Sequence, residues 1–66
     1  MNVMKVARTM QGLSQVEMAK KVGCSLPALQ KWELKKQTPT LEWAVKIANA
    51  YAISMNELVE HFELIK

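Results

Sequence analysis

The sequence predicts an all-α fold: a compact five-helix orthogonal bundle containing a helix-turn-helix. Three observations predict it. Apolar residues recur at spacings of three and four, the period of a helix with one buried face. Val and Ile do not alternate with polar residues over any useful length, so strands are not expected. Ser or Thr stands where each periodic run after the first begins, and the only glycines, at 12 and 23, stand where runs break.

Each element follows from these signals. The first helix is expected from about Asn2 to Gln11, with Met4, Ala7 and either Met10 or Gln11 along one side, and Gly12 ends it. The second starts at Ser14. Ser14-Gln15-Val16-Glu17 reads as a capping box, in which Ser accepts from the Glu17 amide and Glu17 reaches back to the Ser14 amide. Leu13 and Met18 suit the hydrophobic staple around it. Met18, Ala19 and Val22 then face inward, and Gly23 suits a left-handed stop.

The third helix begins after Ser25, with Pro27 in the first turn, where its missing amide costs little. Leu29 and Trp32 face the core. The fourth follows a loop from Lys35 to Pro39, and either Thr38 or Thr40 can cap it. Leu41, Ala44, Val45 and Ala48 form its expected apolar stripe. The fifth starts at Ser54, with Glu57 closing a second capping box and Ile53 and Leu58 as the staple pair, and continues through Phe62. No heptad crosses the glycines, which argues against a coiled coil.

Size and composition narrow the function. The 66 residues are expected to form one domain, 1–66, with a thin stability margin, because so short a chain buries only roughly 60% of its surface. Half the residues are apolar, enough for one core. Nine Lys and Arg against six Glu, with no Asp, give a net charge of +3, which fits a nucleic-acid partner without requiring one. One Cys and one His make neither a disulfide nor a protein-only zinc site. No apolar run approaches a membrane span and no signal-peptide stretch is present, so a cytoplasmic protein is expected.

The stretch from Gln15 to Leu34 carries the functional signal. With Gln15 as position one, small Ala19 falls where two crossing helices come closest, and Gly23 permits positive φ in a short turn. Leu29 and Trp32 anchor the second helix of the pair and leave its other face open. An exposed, rigid helix of this length fits the DNA major groove. Leu26, Pro27, Gln30 and Lys31 form its expected outer set. Gln15, Ser25 and the first-turn amides suit phosphates, and Lys35 and Lys36 suit a clamp on the DNA backbone.

A wider set of residues adds a resemblance. Arg8, Gly12-Leu13-Ser14-Gln15, Glu17-Met18-Ala19, Val22-Gly23, Leu29, Trp32-Glu33, Pro39-Thr40-Leu41-Glu42, Lys46-Ile47-Ala48 and Ile53-Ser54-Met55-Asn56-Glu57-Leu58 fit one ungapped pattern over about residues 4 to 59. The chain resembles the lambda-repressor-like, Cro/XRE type of helix-turn-helix regulators. That resemblance implies operator binding on double-stranded DNA, transcription regulation, a homodimer, no cofactor, and a bacterial or phage origin. It implies that Gln15 contacts a phosphate, that Ser25 caps beside the backbone, and that Leu26, Pro27 and Lys31 touch bases. It also implies an ion pair between Arg8 and Glu33.

The chain departs from the pattern in places. Leu26 and Pro27 cannot form side-chain hydrogen bonds to bases, although they can pack on a thymine methyl, so readout is expected to fall on Gln30, Lys31 and DNA shape. Lys35 and Ala52 replace usual glycines, and Lys35 either strains its turn or changes its form. Trp43 is large and apolar at a place expected to face outward.

Plainer readings stand beside these. Arg8 and Glu33, Gln30 and Lys31, and Lys35 and Lys36 are also ordinary surface residues by type, and Leu26 is compatible with a protein contact. Cys24 reads as a buried turn residue, His61 as a surface residue of a fraying helix, and Met1, Met4, Met10, Met18 and Met55 as core filler and chain ends. Ser14, Ser25 and Ser54 are explained as caps, and no nucleophile and base form a catalytic set. Leu58, Val59, Phe62 and Ile65 form an apolar face that, with Trp43, suits a homodimer or another protein partner such as the toxin of an antitoxin-like system.

Overall fold

Asn2 sets the first helix in place: its side chain accepts from the Lys5 amide while its own backbone stays extended. The structure, a computed structural model, describes residues 2–63. The expectations placed on Met1 and Ile65 lie outside them. Five helices follow in order: α1 (Val3–Met10), α2 (Gln15–Val22), α3 (Leu26–Glu33), α4 (Leu41–Tyr51) and α5 (Met55–Phe62). No strand occurs among the described residues.

Local chemistry starts every helix. Ser14 and Ser54 form complete capping boxes with Glu17 and Glu57, and Ser25 accepts from the Ala28 amide. Thr40, rather than Thr38, caps α4 by accepting from the Trp43 amide. Each such cap contributes about 1 kcal/mol.

The helix ends share one device, a residue in the left-handed region. After α1 and α2 it is Gly12 (φ 71°) and Gly23 (φ 89°), where a side chain would be strained. After α3 and α4 it is Lys35 (φ 63°) and Ala52 (φ 58°). The backbone closes in the same way there: the Lys36 amide bonds to the Lys31 carbonyl and the Ile53 amide to the Ala48 carbonyl. Lys35 therefore keeps the form of the turn and accepts the strain.

The core lies where α2, α1 and α5 meet α4. Met4, Met18, Leu29, Ile47, Tyr51 and Leu58 fill its centre. The stripe expected on α4 is corrected. Leu41 is 75% exposed and Val45 is also exposed, whereas Ala44, Ile47, Ala48 and Tyr51 are buried. The inward row is set by the helices packed against α4, and Leu41 and Val45 lie outside that row. Met10 is 83% exposed and Met55 is exposed, so neither fills the core. Gln11 closes that side of α1, its side chain donating to the Ala50 carbonyl.

Two further corrections concern polar residues. His61 is 1% exposed, not a surface residue, because its ring tucks against the end of α3. Cys24 is half-buried rather than buried, and burial pushes its thiol pKa up, which keeps it protonated and unreactive.

Candidate nucleic-acid interface

Gly23 turns the chain so sharply that its amide and that of Cys24 both return to the Ala19 carbonyl. Ala19 is 4% exposed, and α2 packs on both α3 and α4. α3 then opens on Ser25 with Pro27 in its first turn. Its inner row is Leu29, Trp32 and Glu33, all buried. Its outer row leaves Pro27, Gln30 and Lys31 exposed, with Leu26 half-buried. A rigid helix thus offers one polar residue and one cation beside an apolar N-terminal end.

Glu33, 3% exposed, holds that helix in position. Arg8 Nε donates to its Oε2 at 2.8 Å and Arg8 Nη2 to its Oε1 at 3.2 Å, a forked pair between α1 and α3. Arg8 Nη1 also donates to the Leu13 carbonyl. Tyr51 Oη donates to Glu33 Oε2, Gln15 Nε2 donates to Oε1 at 3.2 Å, and Asn2 Nδ2 donates to the Glu33 carbonyl. Burial acts to raise the Glu33 pKa. The hydrogen bonds from Arg8, Tyr51 and Gln15 outweigh it and hold the carboxyl below the usual carboxylate range. Burial, followed by the adjacent Glu33 carboxylate, pushes the Tyr51 hydroxyl well above the ordinary phenol range.

Gln15 and Gln30 are brought together. Gln30 Nε2 donates to Gln15 Oε1 at 3.4 Å, so the start of α2 and the outer face of α3 are joined, and both are tied to Glu33. Ser25 Oγ is occupied as an acceptor by the Ala28 amide, which leaves its O–H free to donate. Lys35 and Lys36 are exposed in the turn after α3. Trp43 does not face fully outward: it is half-buried, its ring centroid 5.7 Å from that of Trp32, with Lys46 Nζ 4.5 Å from its own centroid.

Tyr51, Asn2 and His61 were not singled out by sequence reasoning as supports of α3. Tyr51 follows Ala44 and Ile47–Ala48 at helical spacing, a signal sufficient to bury it but not to identify its partner. Among the described residues, no group of three or more His, Cys, Asp and Glu is placed to hold a metal ion, and no helix is long and apolar enough to cross a membrane.

The chain is similar to the cryptic phage CTXphi transcriptional repressor RstR of Vibrio cholerae serotype O1, with 44% identity over 45 residues. The alignment covers 68% of this chain but only 40% of that repressor, so more than half of the relative lies outside it. No solved structure matches the chain. A family model described as helix-turn-helix matches residues 4–58, which include α2, its glycine turn, α3, and Arg8, Glu33 and Tyr51, and the chain belongs to that helix-turn-helix family.

Proposed function

We propose that this domain is a sequence-specific DNA-binding regulator, phage-repressor-like, that acts by occupying an operator as a homodimer. One observation carries the reading: α3 is locked from behind by Leu29, Trp32 and Glu33 while Pro27, Gln30 and Lys31 stay exposed. A preorganised helix meets a groove without first being ordered, which saves the entropy that binding would otherwise cost.

In this reading Gln30 and Lys31 read base edges, and Leu26 and Pro27 pack on thymine methyls. Gln15, Ser25, Lys35 and Lys36 contact phosphates and set the register. A groove lined by Pro39, Leu41, Met55, Leu58, Val59 and Phe62 supports the dimer. Its volume of about 250 Å³ falls below the roughly 300 to 1,000 Å³ of small-molecule sites, and it suits side chains of a second copy. Two copies then place their α3 helices about 34 Å apart, one DNA turn.

Selection of bound fragments from random DNA, followed by binding across a salt series, tests the function. One preferred sequence with affinity falling steeply in salt is expected. Lys31→Ala relaxes the preference at one base pair. Weak binding without preference overturns the reading. Capture of a stable heteromer through the α5 groove in place of self-association favours an antitoxin-like partner protein.

A further inference from the structure

His61 is a buried titratable group that neither the core nor the DNA reading uses. Its Nε2 lies 3.0 Å from the main-chain oxygen of Trp32, in the last turn of α3. A carbonyl only accepts, so Nε2 carries the proton and Nδ1 is the bare lone pair. Nδ1 is buried with no hydrogen-bond partner among the described residues. The ring stands edge-on to Phe62, centroids 4.7 Å apart. α5 packs mainly on α1 and α4, which makes the His61 bond its polar tie to α3. The same Trp32 oxygen accepts from the Lys35 amide at 3.2 Å. One carbonyl therefore joins α5, the end of α3 and the Lys35–Lys36 turn.

We propose that His61 is a proton-operated latch: neutral, it fastens α5 to the end of α3, and protonated, it leaves its site and loosens the last turn of α5 together with the Lys35–Lys36 turn. The proton must enter at Nδ1, where a full charge would meet no acceptor. Burial therefore holds the imidazole below its ordinary pKa, while the Trp32 carbonyl opposes that shift. Lys35 further disfavours the charge and Glu33 favours it. Glu33, however, is already engaged by Arg8 from α1, Tyr51 from α4 and Gln15 from α2. On α5 itself Glu57 and Glu60 are exposed, and Glu57 accepts from the Ser54 amide. Glu63, two residues on, is exposed as well, so among the described residues Glu33 is the one carboxylate that acts on the ring. The latch does not depend on α3 meeting DNA.

The sign follows from the depressed pKa. The latch is closed above the unfolded value of about 6.5 and is lost as pH falls through the folded value. His61 is the only histidine, and burial moves Cys24 away from this window.

The test uses the full chain, His61→Gln, which keeps a donor without titrating, and His61→Phe, which keeps the ring volume. The imidazole is titrated by NMR, and amide protection factors are compared at about pH 7.5 and about pH 5. We expect a midpoint below about 6.5. We also expect about a tenfold fall in protection at Lys36 and Phe62, with Gly23 unchanged. Both variants should show no such fall, and either one suffices if the other does not fold. A midpoint at or above about 6.5, the same acid loss in a folded variant, or a loss spread evenly over the chain overturns the proposal.

Discussion

The hydroxyl of Tyr51 on α4 donates a 2.7 Å hydrogen bond to Oε2 of Glu33, the last residue of α3. Eighteen residues of sequence separate the two. Through this bond α4 shares with α1 the task of seating the outward helix. Tyr51→Phe removes one hydrogen bond to a charged group and should cost about 1.5 to 3 kcal/mol. Glu33→Ala should cost more, about 3 to 5 kcal/mol, because it leaves the Arg8 guanidinium buried without its partner. Urea melts of both variants and of the double variant check the order. Strict additivity of the two would show that Tyr51 and Glu33 do not act on one another.

Acid should weaken the fold in two stages. The first is the loss of the His61 contribution as pH drops below about 6.5. The second concerns Glu33, whose folded pKa is depressed. Its contribution is present above the unfolded carboxylate value of about 4.5 and is lost as pH falls through the folded value. Denaturant midpoints measured against pH should therefore fall in two steps. His61→Gln should abolish the upper step and leave the lower one.

Lys35 and Ala52 hold backbone conformations that L-residues disfavour by about 1 to 2 kcal/mol. Lys35→Gly and Ala52→Gly should each raise stability by about 0.5 to 1 kcal/mol, after the flexibility glycine adds to the unfolded chain is subtracted. The two should part in DNA binding. Ala52→Gly should leave it unchanged, while Lys35→Gly should reduce the salt dependence by about one phosphate contact. Equal salt slopes for Lys35→Gly and the parent chain would remove Lys35 from the proposed clamp.

Leu41 is exposed at the rim of the α5 groove. Leu41→Glu should leave the melting temperature of the isolated chain nearly unchanged, since no core contact is lost. It should weaken self-association and DNA binding together. Sedimentation across a concentration series, with and without the selected DNA, measures both. A monomer in every condition would rule out the homodimer.

The features legible in the sequence are those whose partners lie within a few residues. The capping boxes at Ser14 and Ser54, the cap at Ser25, the turn at Gly23 and the tolerance for Pro27 all follow from local hydrogen-bond chemistry. The inward row of α4 was only half legible. Leu41 and Val45 look like core by type, but the helices that pack on α4 select Ile47 and Tyr51 instead. His61 and Tyr51 were misread or missed because their partners lie 29 and 18 residues away, on an element whose approach no local pattern specifies. The link from Gln30 through Gln15 to Glu33 was invisible for the same reason, although each residue drew attention singly.

The two indole rings, Trp32 on α3 and Trp43 on α4, sit against each other with an ammonium over one of them. They are the only tryptophans in the chain. Ultraviolet emission from the unlabelled molecule therefore reports on the junction between the outward-facing helix and its neighbour. Any ligand, partner or proton that shifts one helix against the other should change the brightness or colour of that signal, without an attached dye.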